Sequence, residues 1–156
     1  MGWLDQTTAA LTLRLSYSFT PDLALDFYAQ PFMSSGRYSK FRRVVDPGAR
    51  DFDDRLALLN PAVLTLEGGR YHVDETGEGD PEFSFRDRDF NVRKLSTNAV
   101  LRWEYKPGST LFVVWSSARE DDLVTGDLDM TSDLSRLLSA PATNILMVKF
   151  SYWLGL

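Results

Sequence analysis

The chain contains no cysteine in its 156 residues. Disulfides, thiolate metal sites and thiol nucleophiles are excluded together. Histidine is nearly absent too: His72 is the single one, and no GxSxG elbow accompanies it. Any Ser-His-Asp or Cys-His centre would have to pass through that residue. His72 lies in a polar stretch and reads as solvated or packed in a hairpin, so no catalytic residue is assigned and no enzyme is expected. Long apolar runs are missing as well, since no stretch reaches the roughly 18 uncharged apolar residues of a spanning helix. Mean hydropathy is -0.23. That excludes a helical membrane bundle but not a transmembrane β-barrel, whose alternating strands and polar loops average to soluble-looking values. Basic excess is lacking, with 17 Lys and Arg against 22 Asp and Glu and a net charge of -5. General nucleic-acid binding is therefore not expected. Nothing implies a cofactor. The opening MGWLDQTTAA has no basic segment leading into an apolar core, so it does not read as a secretory signal. Gln6 stands where a myristoylation motif wants Ser or Thr.

What is present is alternation. In LMVKFSYWLGL, Leu146, Val148, Phe150, Tyr152, Leu154 and Leu156 fall on one side, and Met147, Lys149, Ser151, Trp153 and Gly155 on the other. Such a strand has a different solvent on each face. An internal repeat extends the pattern. SYSFTPDLALDFYA, from Ser16, lies over RWEYKPGSTLFVVW, from Arg102, without a gap. Each copy is a strand ending aromatic-x-aromatic, a tight proline turn and a second alternating strand, which predicts two short-turned hairpins. In the first, Leu11, Leu13, Leu15, Tyr17 and Phe19 share a face with Leu23, Leu25, Phe27 and Ala29 if the loop is Thr20-Pro21-Asp22. In the second, Ala99, Leu101, Trp103 and Tyr105 pair with Leu111, Val113 and Trp115.

The connections are long and polar. Residues of about 36–91 carry RYSKFRR, DPGARDFDDR and DETGEGDPE, with a small hairpin expected around Glu67-Gly68-Gly69-Arg70. Residues of about 118–143 include MTSDLSRLL, a short helix capped by Thr131 or Ser132. Short turns at one end and long loops at the other match the periplasmic and extracellular sides of a membrane barrel. The predicted fold is thus all-β, an antiparallel up-and-down transmembrane β-barrel segment of about five long strands, in a single domain over 1–156. Bacterial single-chain barrels have an even number of strands and at least about eight. Because open edges in hydrocarbon leave backbone groups unsatisfied, the segment is expected to be the C-terminal portion of a larger barrel, or one of several chains that complete one.

The stretches LRLSYSFTPDLALDFYAQPFMSSGRYSKF, NAVLRWEYKPGSTLFVVWS and NILMVKFSYWLGL resemble the C-terminal barrel region of large Gram-negative outer-membrane proteins. In that family an uncharacterised β-barrel domain often follows a family-nine carbohydrate-binding module. The resemblance spans about residues 8–154, and LRWEYKPGSTLF is its most specific run. It implies a bacterial outer-membrane location and a surface or sugar-related role. The module is not part of this sequence, so sugar binding is carried over to no residue. The resemblance also implies that the final strand, with Val148, Phe150, Tyr152 and Leu154, looks like the signal read by the barrel-assembly machinery. Family signals commonly end on an aromatic residue, whereas this one ends Trp153-Leu154-Gly155-Leu156.

Candidate sites follow from the barrel register. Arg14, Asp26, Arg102, Glu104 and Lys149 are expected to face the lumen, as an ion-pair network or a selectivity lining. Tyr17, Phe19, Trp103, Tyr105, Tyr152 and Trp153 collect at the turn ends as an interfacial aromatic girdle. Arg37, Lys40, Arg42 and Arg43, around Tyr38 and Phe41, are placed to meet lipopolysaccharide phosphates. Asp74, Glu75, Glu78, Asp80 and Glu82, with Asp51, Asp53, Asp54 and Glu120 to Asp122, form acidic clusters without the ligand order of an EF-hand; they read as solvated loops, and no metal site is assigned. Expected partners are outer-membrane lipid and lipopolysaccharide, the assembly machinery, and further strands or chains. The function expected is an envelope-structural, surface-binding or solute-passage role. The alternative is a soluble lipocalin-like barrel with the apolar face turned inward around an apolar ligand.

Overall fold

A computed structural model describes residues 1–154. Gly155 and Leu156, assigned above to the last strand, lie outside the described residues. The chain is mostly β. Its elements are β1 (Trp3–Ala10), β2 (Leu13–Thr20), β3 (Leu23–Ser39), β4 (Arg42–Val44), β5 (Leu56–Leu58), β6 (Leu64–Glu67), β7 (Arg70–Val73), β8 (Phe83–Arg86), β9 (Phe90–Lys106), β10 (Ser109–Leu123), α1 (Met130–Ser139) and β11 (Ala142–Ser151). The main sheet has the order β1-β3-β9-β10-β11, with β2 also on β3. β4 pairs β5, and β6-β7-β8 form a three-stranded sheet. The sheets are antiparallel, and none closes into a barrel.

The chain divides into two compact units. Unit 1 comprises Met1–Thr7, Ser35–Asn91 and Leu123–Leu128; unit 2 comprises Thr8–Ser34, Val92–Asp122 and Asp129–Leu156. The expected loop of 36–91 is a folded body, because its short apolar strands bury one another: Val73 is fully buried and Leu59 nearly so. Phe41, Tyr71 and Phe85 form an aromatic cluster with centroids 4.8 to 5.3 Å apart. The Glu67–Arg70 hairpin forms as expected. Glu67 pairs with Arg70, and Gly68 and Gly69 both take positive φ, which suits a two-residue turn that follows strand twist.

In unit 2 both proline hairpins are present, with turns at Pro21-Asp22 and Pro107-Gly108. The first turn is one residue shorter than the three-residue loop expected. A two-residue loop alone would move the apolar side chains of one strand to the other face. A register shift between Ser18 and Thr20 corrects this, so that Tyr17 lies opposite Leu25 and Leu15 opposite Phe27. Between β10 and β11, Leu111 faces Phe150, Val113 faces Val148 and Trp115 faces Leu146. The alternation read from sequence is the register observed.

Two boundaries differ from expectation. Residues 118–123 continue β10 rather than opening a loop. The α1 helix is capped by Asp129, upstream of Thr131 and Ser132: its carboxylate accepts the Thr131 N–H at 3.0 Å and the Ser132 N–H at 3.3 Å. An aspartate one residue before the first helical position can reach those two unpaired donors, whereas Thr131 and Ser132 are already inside the helix.

Candidate functional site

The apolar face of unit 2 is its largest unusual feature. Leu11, Leu13, Leu15, Tyr17 and Phe19 on the β2 side are all more than half exposed, as are Leu146, Val148, Phe150, Tyr152 and Leu154 at the other end of the sheet. Phe150 is 64% exposed and Leu15 53%. Within β2, Leu13 to Phe19 is six residue steps, about 20 Å of strand.

The six residues expected to form a girdle lie near the turn end. Tyr17 meets Phe19 edge-on at 4.9 Å, Trp103 meets Tyr105 at 6.0 Å, and Tyr105 stacks on Phe150 at 5.5 Å. Lys106 lies over the Tyr152 ring at 5.7 Å. The Trp153 N–H donates to Ser109 Oγ at 3.0 Å, and Gly108, at φ 76, leaves the room its neighbour Trp153 needs. Within the expected assembly strand, Val148 and Phe150 belong to β11 but Tyr152 and Leu154 follow its end at Ser151. The pairing stops there because β10 begins at Ser109 and its last partner is Thr110.

Arg14, Asp26 and Lys149 take the opposite face, where Ser16 pairs with Asp26, Arg14 with Tyr28, and Phe112 with Lys149. Instead of bridging to Asp26, Arg14 lies over the Tyr28 ring at 5.6 Å. Glu104 accepts the Gly108 N–H at 2.9 Å and so braces its own turn. Arg102 is exposed in β9. Among the described residues these five form no ion pair with one another.

Above the apolar band, the sheet of unit 2 carries α1. Arg93 on β9 is fully buried, with Nη1 2.7 Å from Asp133 of the helix and Nη2 3.0 Å from Asp121 of β10. Arg136 also approaches Asp121, at 3.6 Å. Arg119 donates to the Leu138 and Ala140 carbonyls at the helix end. Leu137 is fully buried, and Met130 and Leu134 line a small apolar cleft with Leu11, Pro31 and Met33. Sequence reasoning missed this centre. The available signal was Asp133 on the apolar stripe of Met130, Leu134 and Leu137, where a carboxylate needs a buried partner.

In unit 1, each member of the expected lipopolysaccharide cluster has a partner. Arg37 pairs with Asp127, Arg42 with Asp53 at 3.7 Å and Arg43 with Glu75 at 2.5 Å, while Lys40 lies over Trp3 at 5.7 Å. His72 lies in β7, opposite Thr65 and Ser84. The acidic loop uses its carboxylates internally: Asp74 accepts the Gly77 and Gly79 N–H groups at 2.6 and 2.9 Å, and Glu82 those of Glu75 and Thr76 at 2.9 and 3.0 Å. Those backbone donors hold the Glu82 carboxyl below its ordinary range. Burial, then the nearby Asp87 and Asp89, pushes the Tyr71 phenol up. Among the described residues no three His, Asp or Glu side chains are close enough to share a metal ion.

A family model for a domain of unknown function, DUF5916, matches residues 1–156. The chain belongs to that family. No curated protein and no solved structure matches the DUF5916 chain.

Proposed function

We propose that this DUF5916 chain supplies the C-terminal strands of a bacterial outer-membrane β-barrel, in an envelope-structural, surface-binding or solute-passage role. The observation that carries the reading is the exposed apolar face of unit 2. An apolar patch of that breadth on a water-facing protein is an aggregation liability, whereas against lipid it is the required surface. The β11 edge and the opposite β1 and β2 edge end the sheet. In a barrel they pair with further strands or chains, since hydrocarbon does not tolerate unpaired backbone. Partners in this reading are outer-membrane lipid, lipopolysaccharide and the barrel-assembly machinery.

A face-specific pair of substitutions tests it. Val148 and Met147 are adjacent on β11 and about equally exposed, at 60% and 57%, but only Val148 belongs to the apolar face. Val148→Lys should cost about 2–4 kcal/mol in a bilayer if it lies near midplane, and Met147→Lys close to nothing. Folding into liposomes, read by heat-modifiable gel mobility, should fail for the first and proceed for the second. Equal behaviour of the two, with a chain that stays soluble without detergent, would instead favour the lipocalin-like alternative.

A further inference from the structure

Unit 1 contains a cleft of about 480 Å³ whose chemistry runs against that of the chain as a whole. Its apolar side is made by Phe41, Phe83 and Phe85, with Val44 and Leu59 beside them. Arg42, Arg43, Arg86 and Arg88 also line it, and no acidic side chain does. In a protein of net charge -5, such a grouping is a local positive field over a low-dielectric wall, which attracts anions. Arg42 and Arg43 are partly neutralised by Asp53 and Glu75. Arg86 and Arg88, by contrast, form no ion pair among the described residues. Arg86 also lies directly across from Arg70 in the β7-β8 ladder. Like charges directly opposite each other are destabilising; Arg70 donates to Ser84 Oγ at 3.0 Å and is not part of the cleft lining, which leaves Arg86 to the cleft.

We propose that this cleft binds a small amphiphilic anion, a phosphate or carboxylate head on an apolar body, with Arg86 and Arg88 taking the head and the phenylalanine rings the body. Guanidinium groups suit either head because their paired N–H donors match two oxygens at once. The cleft volume falls within the range of small-ligand sites, which are mostly apolar with a few fixed polar groups. Unit 1 alone makes the cleft, so the inference stands whether or not unit 2 meets lipid.

The test uses the whole chain in neutral maltoside micelles, with the arginine Nε–H signals followed by NMR as hexyl phosphate is added. Arg86 and Arg88 should shift saturably, and Arg14, on unit 2, should not. Inorganic phosphate and hexanol, each offering half of the chemistry, should bind at least about tenfold more weakly. The Arg86→Gln/Arg88→Gln double variant should lose about tenfold or more in affinity. Because both side chains are exposed and free of ion pairs, that variant should fold as the parent does. Phe83→Ser should weaken hexyl phosphate but leave inorganic phosphate unchanged. Displacement of hexyl phosphate by phosphatidylglycerol nanodiscs but not phosphatidylcholine ones would assign the head to a bilayer lipid; no displacement by either would assign it to a free amphiphile. Unshifted Arg86 and Arg88, or inorganic phosphate binding as tightly as hexyl phosphate, would overturn the proposal.

Discussion

Removing the Asp133 carboxylate should release α1 from the sheet of unit 2. Arg93 is 0% exposed and is held by Asp133 at 2.7 Å and Asp121 at 3.0 Å. Breaking a buried pair by deleting one partner typically costs 3–5 kcal/mol, because the other charge is left without compensation. Asp121, about a quarter exposed, remains to share the load, so Asp133→Ala should cost near the lower end, about 3 kcal/mol. It also removes the acceptor for the Asp129 N–H, 3.0 Å away at the start of the helix. The event is local, and the proper assay is hydrogen exchange of the α1 amides in micelles, where about 3 kcal/mol is about two orders of magnitude in protection. Replacing both charges, as Arg93→Met/Asp133→Leu, should restore most of that protection, since apolar pairs of similar volume often equal or exceed buried ion pairs. Protection in Asp133→Ala within about threefold of wild type would refute the reasoning. So would a double variant as exposed as the single one.

The other expectations concern caps, packing and pH. Asp129→Ala should fray the first turn of α1 while Asp129→Ser preserves it, as seen in the exchange rates of Ser132 and Asp133. The Ser132 N–H group, and then that of Thr131, hold the Asp129 carboxyl below its ordinary value. Its contribution is therefore complete above the unfolded carboxylate range, about pH 4, and disappears as pH falls through the lowered folded value. Glu82 has the same sign, so the Asp74–Glu82 loop should hold at pH 5 and open on further acidification, which amide exchange against pH would detect. A methyl group at Gly36 would sit 2.4 Å from Phe90 Cε1 and 2.9 Å from Leu4 Cδ1. Gly36→Ala should thus destabilise unit 1 by about 1–3 kcal/mol and leave α1 protection unchanged.

Much of the fold was legible because the long strands keep a period of two. The parity of Leu15 with Phe27 needs only alternation and a turn, both of which are local, and Leu111 and Phe150 each keep theirs by alternation within their own strands. The turn residues Pro21, Pro107, Gly68 and Gly69 announced themselves by the backbone angles they supply. The missed features depend on contacts far apart in sequence. Arg93 in FNVRKLST reads as one more polar strand residue, and only Asp133, 40 positions later, explains its burial. The basic cluster shows the same limit from the other side. Arg37 to Arg43 looked unpartnered in the linear chain, yet Asp127, Asp53 and Glu75 approach through folding. The arginines without such partners, Arg86 and Arg88, were not singled out because a single Arg-x-Arg step carries no pattern of its own.

The strand lengths bear on why one sheet can have both a bare apolar face and a docked helix. β3 and β9 each have 17 residues and β10 has 15, about 50–56 Å at 3.3 Å per residue. A tilted membrane strand needs only about 9–11 residues. By alternation along β10, Leu111, Val113 and Trp115 share their side with Ser117, Arg119 and Asp121. That side changes from apolar to polar within one strand, just beyond Trp115, whose indole N–H donates to Asn144 at 3.2 Å. β9 repeats the change, with Trp103 and Leu101 at one end and Arg93 at the other. The helix docks by ion pairs and carbonyl contacts together with the buried Leu137 and the small apolar cleft, and nothing among the described residues of unit 2 covers the aromatic turn end to the same degree. A sheet built for water alone would gain by continuing the apolar side under the helix. Ending that side at Trp115, four residue steps or about 13 Å beyond Leu111, is what the proposed membrane setting would ask of the strand.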